Sequence, residues 1–287
     1  MVGSPPAITI KKLSADLYAD KRTGEVKEFQ HHDSRAGDKA SVSQSLRKLR
    51  DLINANLENP ETALWVTLTY RENMTDPARL YEDYRRFWLR FKYYLNKQNH
   101  PPAEYIIAAE PQGRGAWHLH CLFLFPEKPP FIPNSDMARI WGHGFTKTQS
   151  LEKIGNPGLY LTAYLGNMGL EESVNSGTFQ ATRLAESKSK KKAIVKGARL
   201  SLYPSAFNLY RFSRGIQRPE IWQTTEREAQ AEISGMPLTY EKTISITDEG
   251  GTIRNIINYR TYIRTPAESD TTTDNKTKNA EISREAH

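Results

Sequence analysis

The chain has one cysteine, Cys121. An internal disulfide framework is thereby excluded, and a reducing cytosol is the expected setting. No apolar run approaches the ~18 residues of a membrane span. The N-terminus has no charged-then-apolar leader, so secretion is not expected and the chain is read as cytoplasmic, without a membrane partner. The glycine-rich phosphate loop ending in Gly-Lys-Ser/Thr is missing, which excludes a recognisable helicase motor. There is no internal repeat, which excludes a solenoid. From Thr265 onward apolar residues almost vanish, and residues 265–287 read as a disordered tail.

What is present is a chain of 287 residues with a net charge of +7, 38% hydrophobic and 10% aromatic residues. That length suffices for a genuine core. The positive balance, with a pI near 9.3, favours an anionic partner, and aromatics could stack on bases.

Hydrophobic periodicity divides the chain into four segments. Residues 1–60 are polar and basic, with a short strand at Ile8–Ser14, turn and loop over Lys21–Lys39, and a helix over Ser41–Asn56. Residues 61–218 begin with the strand Leu64–Tyr70. Asp76-Pro77 then starts a helix, with Asp as cap and Pro in the first turn. Its Leu80, Tyr84, Phe87, Trp88, Phe91 and Leu95 recur at helical spacing, which indicates packing against a sheet and not a base-stacking platform. A hairpin over Tyr105–Phe125, a loop at Pro129–Asn134, a short helix at Ser135–Trp141 and a strand at Gly144–Leu151 follow. This order predicts an α+β fold: an antiparallel central sheet with helices packed on it. Residues 219–264 form an extension, with a helix at Thr225–Ile233 and two strands, Leu238–Ile246 and Thr252–Ile263, joined through Asp248-Glu-Gly-Gly.

The chemistry concentrates in Glu110-Pro-Gln-Gly-Arg-Gly-Ala-Trp-His118-Leu-His120. In a strand, His118 and His120 share a face because side chains alternate. A hairpin turning at Gly113-Arg114-Gly115 sets Glu110 opposite His118. Two imidazoles and a carboxylate then converge as a divalent-metal site with open positions. Cys121 falls on the opposite strand face and reads as a buried apolar residue; His143 is a conceivable fourth ligand, though a loop position suits it better. A zinc hydrolase is the rival chemistry, but no further cluster with ligand spacing supports it. Downstream, Asn156-Pro157 repeats the cap-then-proline start, so Gly158–Met168 reads as a helix. Tyr160 and Tyr164 lie one turn apart on it, and Leu161, Leu165 and Met168 would hold it to the sheet.

Three motifs in this order, Leu64–Tyr70, Glu110/His118/His120 and Tyr160-Leu-Thr-Ala-Tyr164, resemble those of the HUH endonucleases, in the branch of plasmid and phage rolling-circle replication initiators. The resemblance implies an RNA-recognition or ferredoxin-like fold. It also implies that a tyrosine attacks a DNA phosphate, leaving a free 3′-hydroxyl and a 5′-phosphotyrosine link. Glu110, His118 and His120 would hold Mn²⁺ or Mg²⁺, and imidazole with carboxylate suits Mn²⁺ better. Many relatives carry a lysine three residues after the nucleophile; here those positions are Ala163 and Asn167, with Lys147 and Lys153 as possible substitutes.

Between Lys188 and Arg218 there are nine Lys or Arg and no acid. Lys188, Lys190, Lys191, Lys192, Lys196, Arg199, Arg211 and Arg214 are the candidate DNA-binding residues, with Tyr203, Phe207, Tyr210 and Phe212 interleaved to stack on bases. The expected function is nicking and rejoining of single-stranded or hairpin origin DNA, with a host helicase as partner. A relaxase or transposase of the same chemistry, or a non-catalytic origin-binding protein, are the alternatives.

Overall fold

The structure, a computed structural model, describes residues 10–151, 157–169, 184–186, 193–247 and 250–262. The expected tail, residues 265–287, lies outside the described residues. Two compact units divide the chain, a larger one within Pro6–Glu220 and a smaller one beginning at Ile221. No helix among the described residues is long and apolar enough to cross a membrane.

In the larger unit β1 (Ile10–Lys12), β2 (Leu17–Asp20) and β3 (Val26–Glu28) form a small antiparallel sheet, followed by α1 (Lys39–Asn56). The core then runs β4 (Ala63–Thr69), α2 (Pro77–Lys97), β5 (Glu104–Pro111), β6 (Trp117–Leu124), α3 (Asn134–Trp141) and β7 (Thr146–Ser150). Helix α4 (Pro157–Gly166) comes next. After it, β8 (Met168–Gly169), β9 (Leu184–Glu186) and β10 (Ala193–Val195) make a second small sheet in the order β8-β10-β9. Strand β11 (Tyr210–Phe212) returns to the central sheet, whose order is β11-β5-β6-β4-β7 with every neighbouring pair antiparallel. The β-α-β-β-α-β succession with β6 between β4 and β5 is the ferredoxin-like arrangement. The fold is therefore α+β with an antiparallel central sheet, as the sequence predicts.

Local chemistry explains the main elements. Asp76 caps α2 by accepting from the Ala78 N–H at 2.8 Å, with Pro77 in the first turn. Asp38 caps α1 through the Ser41 N–H at 3.1 Å. The β5–β6 hairpin closes through the Gln112 N–H and the Ala116 carbonyl at 2.8 Å, and Gly115 takes φ +86°, a conformation that other L-residues resist. Arg90 donates to the Ile140 and Trp141 carbonyls and so satisfies the C-terminal end of α3.

The sheet buries both faces, but unequally. One face, carrying Val66, Leu68, Ile107, Ala109, Leu119, Cys121 and Phe123, is covered by Leu80, Tyr84, Phe87 and Phe91 of α2 and Met137, Ile140 and Trp141 of α3. The other face carries Ala63, Trp65, Ile106, Ala108, Leu122 and Leu124, packed with Leu49, Leu52 and Ile53 of α1 and Leu161 and Leu165 of α4. Helices α1 and α4 meet so closely that a Cβ on Gly158 would lie 2.9 Å from Asn54 Oδ1 and 3.3 Å from the Arg50 carbonyl.

Three elements differ from the sequence reading. A strand, β3, occupies part of the expected Lys21–Lys39 loop. Helix α4 ends at Gly166, and Met168 begins β8 instead of continuing the helix. Tyr210–Phe212 forms an edge strand where the sequence suggests DNA contact. Its Tyr210 and Phe212 pack on the α1/α4 side, and the Arg211 guanidinium lies 3.5 Å from the centre of the Tyr81 ring. Tyr203 is fully buried and Phe207 stacks on Trp117 at 4.7 Å. These four aromatics are packing residues and not a base-stacking platform. The α2 aromatics are core, as their spacing indicates.

In the smaller unit α5 (Glu226–Glu232) starts with a capping box between Thr225 and Glu228, and β12 (Leu238–Thr247) pairs with β13 (Ile253–Tyr262) as an antiparallel ribbon. Residues 248–249 of the expected turn lie outside the described residues.

Phe87 is fully buried and touches Phe91, Phe123 and Trp141. Phe87→Ala is expected to lower the unfolding free energy by about 3–5 kcal/mol. Tyr93→Ala, an exposed position on the same helix, should stay within about 0.5 kcal/mol of the parent. Urea denaturation measures both.

Candidate active site

Strand pairing sets the constellation. Glu110 is the direct partner of His118 in the β5–β6 ladder, and Ala108 is the partner of His120. On the other side of β6, Thr69 faces His118 and Thr67 faces His120. Alternation along β6 puts His118, His120, Leu122 and Leu124 on one face. Leu122 and Leu124 belong to the core under α1 and α4, so the two histidines continue that face beyond the helices. Cys121 is buried in the opposite core, where its side of the strand places it. The face thus changes from apolar beneath α1 and α4 to polar at the end bearing Glu110, Thr67, Thr69, His118 and His120. A cleft of about 370 Å³ opens there, lined by His118, His120, Thr67, Thr69, Arg114 and Lys147 among others.

Glu110 is 6% exposed, and burial raises the proton affinity of its carboxyl. A hydrogen bond and charge from His120, with charge from Arg199, outweigh that effect and hold the carboxyl below its ordinary range. Arg199 Nη2 lies 2.9 Å from Glu110 Oε1, while His120 Nε2 touches Oε2. Thr67 Oγ1 stands 3.4 Å from His120 Nδ1. Burial pushes the His118 imidazole down to about 4, and its Nε2 is buried without a hydrogen-bond partner. One carboxylate, two imidazoles and an orphaned ring nitrogen are donor chemistry suited to a divalent cation. The side chains stand instead as a carboxylate–imidazole pair. Among the described residues no group of three or more His, Cys, Asp or Glu is arranged to hold an ion.

Arg199 corrects the sequence reading, which places it among DNA-contact residues. It is 5% exposed and donates to the Pro111 carbonyl at 2.6 Å and to the Asn167 carbonyl at 3.1 Å, besides its pairing with Glu110. Asn167 immediately follows α4, and its side-chain oxygen also accepts from the Gly197 N–H. One guanidinium therefore ties the candidate metal carboxylate to the end of the tyrosine helix. An arginine between Ala198 and Leu200 in an otherwise apolar stretch is the signal available in the sequence.

Tyr160 and Tyr164 lie on consecutive turns of α4, each next in sequence to a buried leucine, Leu161 and Leu165. The helix packs on β5 and α1, on the same sheet face as Glu110, His118 and His120. Lys196 and Arg214 are exposed. Lys188, Lys190, Lys191, Lys192 and Lys153 lie outside the described residues. His143 is not near the constellation; its Nε2 lies 3.6 Å from Asp83 Oδ1 of α2, under the other face.

Residues 63–168 match the model of a family of replication-associated proteins, the ORF2 type. The match runs from the first residue of β4 to the first of β8 and contains all three motifs. The segment is thus a replication-associated domain, of the kind found in rolling-circle initiators. No curated protein and no solved structure matches the chain.

Arg199→Met leaves Glu110 buried with one cationic partner removed, and should lower the unfolding free energy by about 3–5 kcal/mol in urea denaturation. His118 is neutral in the folded protein down to about pH 4, against an ordinary value of 6.5. The unfolded chain therefore binds more protons between those values, and stability contributed above 6.5 is lost as pH falls toward 4. NMR titration of the metal-free protein should place the His118 midpoint near the lower value. A midpoint at or above the ordinary value would contradict the burial described.

Proposed function

We propose that the chain is a rolling-circle replication initiator of the HUH type, which nicks and rejoins single-stranded or hairpin origin DNA. One observation carries this reading: Glu110, His118 and His120 share one sheet face with the helix that bears Tyr160 and Tyr164. The replication-associated family match over the same segment supports it.

In this reading the Tyr160 or Tyr164 hydroxyl attacks a DNA phosphorus. A P–O bond to the tyrosine forms as the bond to the 3′-oxygen breaks, and that oxygen takes up a proton. The product is a 5′-phosphotyrosine, itself a phosphodiester, so a later attack by a 3′-hydroxyl reseals the strand. A phenol near pKa ~10 is a weak nucleophile at neutral pH. Glu110, His118 and His120 would hold a divalent ion, Mn²⁺ or Mg²⁺. Bound there, the ion supplies Lewis acidity to a nonbridging phosphate oxygen. Arg199 keeps the Glu110 carboxyl ionised and fixes it relative to α4. The depressed basicity of His118 keeps its ring nitrogen unprotonated and ready to donate its lone pair. Two tyrosines one turn apart permit successive cleavage and transfer within one chain. The sequence carries no phosphate-loop motor, so strand separation is assigned to a host helicase.

The test uses labelled single-stranded oligonucleotides carrying the origin of the encoding replicon, with Mn²⁺. Wild-type protein should give a covalent adduct that survives denaturing electrophoresis and disappears with EDTA. The Tyr160→Phe/Tyr164→Phe double variant should give none. Failure of wild type and both single variants to form any adduct would sink the nickase reading.

A further inference from the structure

The cleft at the histidines does not stop at β7. A second cleft of about 400 Å³ lies beside it, and Phe145 and Lys147 line both. The second continues past Phe131 and Ile132 of the loop before α3. Pairing fixes this geometry: Lys147 is opposite Thr67 in the β4–β7 ladder, and Thr67 is opposite His120. Lys147 therefore stands two strands from the histidine, on the sheet edge.

The chemistry of these linings has one sign. Neither includes an Asp or Glu side chain, while Lys147 and Arg114 supply cations. Lys147 is exposed. The aromatics are also unusual. Among the described residues of the larger unit, three aromatic side chains are more than half exposed: Tyr93 at 70%, Phe131 at 87% and Phe145 at 62%. Two of the three line these clefts. Exposed aromatic rings beside a cation, in a cleft without acids, suit a polyanion that carries flat apolar groups.

We propose that the β7 edge is a track for single-stranded DNA, on which Phe145 and Phe131 stack successive bases and Lys147 holds the phosphate between them. This site is separate from the basic segment 188–218. It rests on the strand-transfer reading, since it leads the strand to the Glu110/His118/His120 cluster. Duplex DNA does not fit it, because paired bases present no free ring faces to the two phenylalanines.

The track can be tested apart from the chemistry. A fluorescein-labelled single strand of about 20 nucleotides, longer than the site size of one binding module, is titrated with full-length protein in EDTA. Binding is read by anisotropy across a range of salt. Base stacking on one aromatic corresponds to about a 5- to 100-fold affinity change, so Phe145→Ala and Phe131→Ala should each weaken binding within that range. Lys147→Gln should make the log–log salt dependence shallower by about 0.7, the value for one lost phosphate contact on a single strand. Tyr93→Ala should bind as wild type. Phe145→Trp should keep its affinity and show added indole quenching when the strand is bound. Wild-type affinity in both phenylalanine variants, or an unchanged salt slope in Lys147→Gln, overturns the proposal. Tighter binding of the same sequence as a duplex also overturns it. If the variants lose affinity while wild type forms no adduct in Mn²⁺, the track stands and the nickase reading falls. Adduct formation with unaffected binding in the variants removes the track and leaves the nickase reading in place.

Discussion

A carboxylate buried at the end of a β-hairpin has to be balanced by positive charge, because an isolated ion in that setting is very costly. Glu110 is that carboxylate, and the surrounding chain is arranged around its needs. One oxygen receives Arg199 and the other His120. Arg199 comes from the short helical turn Ala198–Leu202, far along the sequence, and its remaining N–H groups reach Pro111 and Asn167. Through that one side chain the end of α4 is fixed with respect to the β5–β6 hairpin. Tyr203, a few residues on, adds a hydrogen bond from its hydroxyl to the Ala109 carbonyl. The segment that follows the second small sheet is therefore a brace for the site.

The second constraint is incomplete cover. Helices α2 and α3 close one face of the sheet with Leu, Phe and Trp side chains, whereas α1 and α4 close only the apolar half of the other. The uncovered half has to be polar, and it is there that the histidines, threonines and Lys147 lie. Placing α4 at this boundary sets the tyrosine helix on the core, next to the polar end of the face. Leu161 and Leu165 anchor it, and contact with α1 at Gly158 leaves no room for a side chain. A site that needs a rigid nucleophile helix next to open, water-accessible ligands follows from the shape of the cover.

Local signals made much of this legible in the sequence. Cap-and-proline starts located α2 and α4, and alternation around Gly113–Gly115 put Glu110 in register with His118. Cys121 fell on the wrong face for a ligand, and the buried free thiol lies there. The misreadings are non-local. Nothing near Tyr210 indicates that three residues will add to β5, far earlier in the chain, so a strand edge resembled a basic aromatic strip. Arg199 looked like one more cation in a positive run because its partner, Glu110, is distant in sequence. Charge counted along a chain does not separate an arginine that neutralises a buried acid from one that faces solvent.

The same distinction bears on the position where many initiators carry a lysine. Asn167 stands three residues after Tyr164, at the C-terminal end of α4, where exposed carbonyls favour a cation. Arg199 meets that need by donating from Nε to the Asn167 carbonyl, while the Asn167 amide oxygen holds the Gly197 N–H. A lysine side chain offers only donors and could not receive that N–H. Arg199 in turn is committed to Glu110 and two carbonyls, so its charge is largely spent inside the fold. Neutralising an incoming phosphate then falls to cations at the open rim of the cleft, and Lys147 and Arg114 are the ones lining it. The lysine is absent from the helix because the helix end is used for bracing, and the cationic function is displaced to the edge of the sheet.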